Sequence, residues 1–372
     1  MKIGIDAKHY FHGPPSGVVV VRNLVDTLLK MNVKNEIVLF LNKNDKNAAS
    51  HFSSYSFVTI KYIWAPNSFI AGCFSLPMAA QNMELDVVIF QHFTALWGKF
   101  KKITFIYDVL FLSNPEYFTY IERLYFSLVK PSSKMSDLVC TISVQEKERM
   151  IRHGFNKNPT VVYLGVSEMY KPKEQCDGKK LLAVSEKFNL PEQFLLFVGR
   201  LNIRKNIIAV IRALSLMRSD VPLVIVGGQE GEIKKIDFTA MIAKLGLTSR
   251  VIFTGNISEA ELTCIYSLAT IFCYPSFAEG FGLPALEAMA SGIPVVVSDL
   301  PSLKEVCGYA ALYVDPHRPE DIAHAVDNLV NDRQLYQQKK LEGLENAAKF
   351  SWEKTSLQLL EHCRSLLEPP RT

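Results

Sequence analysis

The 372-residue sequence has no C-x-x-C pair, no D-x-D pair and no metal-ligand spacing among its eight histidines. Its seven cysteines (Cys73, Cys140, Cys176, Cys264, Cys273, Cys307, Cys363) are odd in number and widely spaced, which fits a reducing compartment rather than a disulfide framework. Cys140, Cys264 and Cys273, inside apolar or helix-periodic text, read as packing residues. A long apolar run is also missing. The most apolar stretch, FIAGCFSLPMAA at 69–80, is broken by Ser75 and Pro77 and falls short of the roughly 20 residues that cross a bilayer. MKIGIDAKHY has too few apolar residues before Asp6 for a signal-peptide core and reads as a strand, so the mature protein is expected to start there. The 19 glycines and 18 prolines follow no period, which excludes collagen-like and low-complexity chains.

What is present is an ordinary globular balance, 48% apolar and 21% charged residues, enough to bury sizeable cores. The length suggests two domains or more. Net charge is +4 but unevenly spread: residues 1–180 carry 22 Lys and Arg against 15 Asp and Glu, or +7, and the remainder is −3. The first half is thus suited to an anionic partner, such as a phosphorylated acceptor or a membrane surface, or simply has an uneven solvated surface.

Short Val, Ile and Phe-rich runs alternate with helix-periodic stretches: KIGID, EIVLFL, FVTIKYIW, DVVIF, ITFIYD, DLVCTI and TVVYLG. That alternation predicts α/β architecture with a parallel, doubly wound sheet. A polar, lysine-rich stretch follows, and then a second alternating series: FLLFVG, PLVIVG, VIFTG, TIFCYP and PVVVSD. The predicted organisation is a first Rossmann-like domain at 1–170, a linker at 171–192, and a second such domain at 193–350. A terminal helix at 351–372 either caps the second sheet or crosses back to the first domain.

Open α/β sheets bind ligands beyond the carboxyl ends of their strands, where glycine turns and helix N-termini accommodate phosphate. The most specific segment is FAEGFGLPALEAMASGIPVVVSD, with Glu279 in a loop and Glu287 about one turn inside a helix that Pro284 opens. One carboxylate can bond hydroxyls of a ribose or sugar and the other can face a reacting centre, with amides of Gly280, Phe281 and Gly282 between them; helix-start charge is the alternative. Gly280 to Ala285 also fits the G-x-G-x-x-A dinucleotide fingerprint, which gives an NAD(P)-dependent oxidoreductase as the competing reading. In VGRLNIRKN, Arg200 and Lys205 are two flexible cations at a strand end, able to hold a diphosphate without a metal; a solvated basic loop is the alternative. In HGPPSGV, Ser16 is a candidate helix N-cap beside Gly17. Asp108 ends ITFIYD next to Tyr107 and either orients an acceptor hydroxyl or caps the following turn; His92 is a further acceptor-side candidate or a packed histidine.

Together EGFGLPALE, VGRLNIRKN and VIFTGNISEAEL resemble the retaining family-4 glycosyltransferases of GT-B fold, two Rossmann-like domains facing each other across a cleft. The likeness runs along almost the whole chain and extends to bacterial mannosyltransferase-like enzymes of O-antigen and other surface-polysaccharide assembly. It implies that Arg200 and Lys205 bind the donor diphosphate, Gly17 abuts it, and Glu287 holds the ribose. Gly255 and Asn256 would border the base, and Glu279 with Gly280, Phe281, Gly282 and Leu283 would meet the transferred sugar. Glu279, Asp108, Arg200 and Lys205 are the implied catalytic set. The donor would be a nucleotide-diphosphate sugar, GDP-linked in the reading favoured here, with no cofactor and no metal. Where members of this kind often carry His-Asp, the chain has Tyr107-Asp108, and Tyr107 would alter sugar choice, for instance toward a 6-deoxy sugar.

The resemblance further implies a lipid-linked glycan acceptor, no nucleic-acid partner, and a cytoplasmic protein peripheral to the inner face of the membrane. LWGKFKKI at 96–103 and YIERLYFSLVKPSSK from Tyr120 mix basic and aromatic residues as anionic interfaces require, or form ordinary core elements. A non-catalytic subunit of a glycan-assembly complex is a third function class and a nucleotide-sugar epimerase a fourth; the presence of Glu279, Glu287, Arg200 and Lys205 weighs against the former.

Overall fold

The apolar runs form parallel strands in two sheets. In the computed structural model, which describes residues 1–31, 34–45, 47–155, 158–228 and 236–368, the chain divides into two units. The first comprises Met1–Gly165 and Ser351–Thr372, the second Val166–Phe350.

The first unit holds β1 (Lys2–Asp6), β2 (Glu36–Asn42), β3 (Val58–Ile63), β4 (Val87–Gln91), β5 (Lys101–Phe105), β6 (Leu138–Thr141) and β7 (Thr160–Val161), ordered β3-β2-β1-β4-β5-β6-β7. β1 pairs in parallel with both β2 and β4, Ile3 lying against Ile37 and Val87, so the order of strands reverses at β1 and β4. β1, β2 and β4 are almost wholly buried, which is why they read as continuous apolar runs. The expected Ser16 cap is not formed. The helix Pro15–Lys30 begins after Pro14 with no side-chain cap, its start set by proline at the first turn, and Ser16 and Gly17 lie within that turn.

The second unit holds β8 (Leu195–Val198), β9 (Leu223–Val226), β10 (Val251–Gly255), β11 (Ile271–Tyr274), β12 (Val295–Ser298) and β13 (Ala311–Val314), ordered β10-β9-β8-β11-β12-β13, again all parallel. Its reversal lies between β8 and β11. The core around Phe197, Val210, Ile211, Leu214, Leu223, Ile225, Cys273 and Val326 joins the sheet to the helices Ile207–Leu216 and Pro319–Asn331. Gly227 is required here: a Cβ would meet the Gly199 carbonyl oxygen at 2.0 Å, and its φ is +133°.

Residues 171–192 are not a free linker. Asp177 accepts from Lys179 N at 3.0 Å and caps the helix Gly178–Phe188, which buries Leu181 and Val184 and belongs to the second unit. The polar text of this segment is the outer face of a surface helix. The helix Trp352–Ser365 groups with the first unit, where Trp352 and Leu359 are buried and the Thr355 hydroxyl donates to Tyr163 O at 2.7 Å. Of the three cysteines read as packing residues, Cys140 and Cys273 are buried and Cys264 is partly exposed. No helix among the described residues is long and apolar enough to cross a membrane.

Candidate active site

The site residues of the second unit lie where its strand order reverses. Beyond β8, Gly199 and Arg200 lead into the short turn Ile203–Lys205, with Asn202 accepting from Lys205 N at 3.1 Å. Asn206 then takes a left-handed conformation, φ 58°, and its amide donates to Pro275 O at 3.0 Å and Pro316 O at 2.7 Å. Those two bonds tie the β8 loop to the loops that follow β11 and β13.

Lys205, 8% exposed, donates through Nζ to Glu279 Oε1 at 2.7 Å, and Arg204 Nη1 approaches the same oxygen at 3.3 Å. Arg204 also donates to Ala278 O at 2.6 Å, and the Phe277 N–H donates to Arg204 O at 2.8 Å, so the loop carrying Glu279 is gripped from both sides. Lys205 further touches the Tyr274 hydroxyl and lies 4.6 Å from that ring's centroid. Burial alone would raise the Glu279 carboxyl, but Lys205 and Arg204 outweigh it and hold it down to about 2. Lys205 is pushed down to about 8, chiefly by lost hydration, with Glu279 opposing.

From Gly282, φ 105°, the helix Leu283–Ala290 runs with Pro284 in its first turn and Glu287 inside it. Glu287 is 7% exposed and accepts from the Tyr266 hydroxyl at 3.0 Å. Burial pushes it up to about 7; Tyr266 and Tyr170 act the other way, and Glu259 acts with burial. The two carboxylates therefore differ in kind: Glu279 is a charged member of an ion cluster, and Glu287 changes protonation near neutral pH.

Gly280 does not follow a strand directly. β11 ends at Tyr274 and the residues from Pro275 to Glu279 intervene, so the segment lacks the strand-to-glycine junction of a dinucleotide fingerprint. Arg200 is exposed, and its charge is felt at Lys205. Lys205 is not the flexible cation expected, being buried and held. Gly255, φ 70°, ends β10 and accepts from Gly227 N at 3.1 Å, and the Asn256 amide lies beside Gly228.

In the first unit, Asp6 at the end of β1 is fully buried and accepts from Lys8 Nζ at 2.5 Å and from Gln91 N at 3.4 Å. Tyr107 donates to Gln91 Oε1, and its ring lies 5.0 Å from that of His92, whose φ of 65° is unusual for a non-glycine residue. Burial, then Lys8, pushes His92 down to about 3, so it is neutral. Asp6 Oδ1 and Gln91 Nε2 are buried with no protein partner among the described residues. β5 stops at Phe105, so Asp108 lies past the strand, where it accepts from Leu110 N at 3.2 Å as a turn cap. Gly17 has open space around it: the nearest side-chain atom to an added Cβ is His9 Cδ2 at 3.9 Å.

Arg204, Tyr274, Tyr266 and Tyr170 were not singled out from the sequence, nor were Asp6 and Lys8 as a pair. Arg204 was legible as the neighbour of Lys205 in NIRKN. Tyr274, as the last residue of a strand facing the loop of Glu279, carried a weaker signal, and Tyr170 sits in aperiodic text with none.

Comparison with known proteins settles the family. The model for glycosyl transferases group 1 matches residues 179–349, which include Arg200, Lys205, Glu279 and Glu287 but not Tyr170. O-antigen chain mannosyltransferase B of Escherichia coli is 32% identical over 275 residues, 70% of this chain and 69% of that protein. The chain belongs to the group 1 glycosyltransferases. The serotype-specific mannosyltransferase WbdA of E. coli is 33% identical to this glycosyltransferase over 197 residues, 51% of this chain but 24% of WbdA, so the chain spans about a quarter of that relative's length. Among solved structures, sucrose-phosphate synthase from Thermosynechococcus elongatus aligns with a TM-score of 0.77 at 20% identity over 99% of both chains. WaaG, a glycosyltransferase involved in lipopolysaccharide biosynthesis, aligns at 0.73 and 15% identity over 98% of this chain and 99% of its own. The glycosyltransferase thus has the GT-B fold that its motifs resemble, and nothing in these relationships favours an oxidoreductase.

Proposed function

We propose that the protein is a retaining, metal-independent hexosyltransferase. It moves mannose or a 6-deoxyhexose from a GDP-linked sugar to a hydroxyl of a lipid-linked or growing oligosaccharide in surface-polysaccharide assembly. The observation that carries this reading is the buried Lys205, Arg204 and Glu279 cluster at the reversal of the second sheet, with Glu287 one turn inside the adjacent helix. Three relatives bear mannosyltransferase names tied to serotype or O-antigen, WbdA and mannosyltransferase B of E. coli and RfbU of Salmonella typhimurium.

In this reading Arg200 and Lys205 neutralise the negative charge that builds on the departing diphosphate as its bond to the sugar breaks. Glu287 accepts from the ribose hydroxyls, while Glu279 and the amides at Gly280 to Gly282 meet the sugar hydroxyls. Attack from the face the diphosphate leaves, with a phosphate oxygen taking the acceptor proton, keeps the anomeric configuration and needs no protein nucleophile. Asp108 acts by shaping the turn after β5, and the neutral Tyr107 and His92 offer polar groups to the acceptor.

Peripheral binding at an anionic membrane belongs to the same proposal. Tyr120, Ile121 and Leu124 are 73%, 78% and 61% exposed on the helix Tyr120–Ser127, which buries none of its residues, and Trp64, Met78 and Trp97 are exposed in the same unit. Within LWGKFKKI the support is narrower, because Phe100, Lys102 and Ile103 are buried, while Leu96, Trp97, Gly98, Lys99 and Lys101 are exposed.

Thermal shift with UDP, GDP, ADP, dTDP, NAD and NADP tests the reading. GDP is expected to raise Tm, because a ligand that binds only the native state stabilises it, and Arg200→Ala is expected to abolish the shift. A shift with NAD or NADP alone would overturn it. Arg200, being exposed, is a cleaner substitution here than the buried Lys205.

A further inference from the structure

Glu287 is held by phenols. Tyr266, fully buried on the helix Glu259–Leu268, donates to Glu287 Oε2 at 3.0 Å, and its hydroxyl also lies 3.3 Å from Pro284 O in the first turn of the Glu287 helix. Tyr170, 6% exposed, packs edge-on against the Tyr266 ring, centroids 5.4 Å apart at 84°, and brings a second phenol to the same carboxyl. Tyr170 is itself fixed by its surroundings. Its N–H donates to Ser167 O at 3.0 Å, and the next carbonyl, of Lys171, accepts from Ser267 Oγ at 2.9 Å on the Tyr266 helix.

We propose that Tyr170 and Tyr266 are positioning residues that turn the Glu287 side chain and keep it a charged acceptor for the two hydroxyls of a nucleoside-diphosphate ribose. This rests on the ribose assignment made above. A carboxylate offers about four lone-pair directions. The Tyr266 phenol occupies one on the protein side, with the Tyr170 phenol packed beside it, which leaves others for a vicinal diol. Phenol donors also favour the charged form that burial and the like charge of Glu259 oppose. The groups bearing on Glu287 are thus Tyr266 and Glu259 from one helix and Tyr170 from the segment that opens the second unit.

The test is calorimetric titration of the full-length protein with GDP, and with UDP in parallel, between pH 5.5 and 8.5, using wild type, Tyr266→Phe, Tyr170→Phe and Glu287→Gln. The tighter of the two nucleotides is then compared with its 2′,3′-dideoxy form. In wild type, affinity is expected to rise with pH as Glu287 ionises. Each phenylalanine variant is expected to move that rise upward by about half a pH unit or more, a loss of roughly threefold at neutral pH that is recovered at pH 8.5. Glu287→Gln is expected to give a weak, flat profile. A purely structural role would weaken binding by the same factor at every pH, and that result, or an unmoved profile, overturns the proposal. If the dideoxy nucleotide binds wild type as tightly as its parent, the ribose assignment fails and takes the positioning role with it. Discrimination against the dideoxy form with unmoved profiles fails the tyrosines alone. Should Tyr266→Phe not fold, Tyr170→Phe carries the same test from outside the helix.

Discussion

Beyond β8 and β11 two cations, Lys205 and Arg204, converge on one oxygen of Glu279, whereas beyond β1 and β4 the ion pair of Lys8 and Asp6 sits among the neutral groups Gln91, His92 and Tyr107. The sheets share a reversal of strand order and place these clusters at equivalent ends. They differ in net charge: the second cluster keeps a surplus positive charge next to exposed Arg200, while the first is balanced. A surplus cation suits an anionic diphosphate, and a charge-balanced set of neutral polar groups suits an uncharged sugar hydroxyl. One architecture thus carries two kinds of polar cluster by changing the residues at its strand ends, and in the proposed function the first faces the acceptor and the second the donor.

The largest expected effect lies in the second cluster. Glu279→Ala leaves Lys205 and Arg204 beside each other without their shared carboxylate, and removing one partner of a buried pair costs about 3–5 kcal/mol. Denaturant unfolding should show that loss together with loss of transfer, and a stability change below about 1 kcal/mol would mean that the cluster is hydrated and the contrast between the sheets false. Next comes Glu287→Gln. Because the folded protein holds this carboxyl up near 7, its ionisation penalises the fold progressively as pH rises between about 4.5 and 7. The variant lacks the penalty, so its stability relative to wild type should grow by a few kcal/mol from pH 5 to pH 8, and parallel curves would show that Glu287 is ionised throughout.

Tyr107→Phe probes the first cluster more gently. It removes the hydrogen bond to Gln91 and is expected to cost about 1 kcal/mol. If Tyr107 also reads the donor sugar, the ratio of transfer from GDP-mannose to GDP-rhamnose should move, and an unchanged ratio removes that role. The smallest effect has the opposite sign. Gly17→Ala lies in the first turn of a helix with open space around it, so stability should rise by about 0.5–1 kcal/mol. If a diphosphate approaches Gly17, transfer should fall in the same variant, and a more stable enzyme of full activity would place the diphosphate elsewhere.

Glu279, Glu287 and Lys205 were legible because each lies in a short segment whose spacing alone fixes loop and helix positions. Of their partners, Arg204 stands beside Lys205 in NIRKN and was legible there, whereas Tyr274, Tyr266 and Tyr170 reach the two carboxylates from separate segments through tertiary packing and were not. The alternating strands were legible for the same local reason. The linker expected at 171–192 misread a surface helix whose polar face outweighs its two buried residues, and the Ser16 cap lost to Pro14 and Pro15, which set the helix start by their fixed φ.

The chain enters the second unit at Val166 and leaves it at Phe350, where the Val166 N–H donates to Phe350 O at 3.3 Å, and a Cβ on Gly165 would meet Trp352 N at 2.1 Å. One unit is therefore inserted within the other, and synthesis meets them out of step. On the ribosome the strands of the first unit emerge long before the helix Trp352–Ser365 that completes its packing, while the whole second unit is made and can close in the interval. The first unit must wait with its docking surface for that helix uncovered, and it is in this interval that nascent chains of the protein should depend most on chaperones.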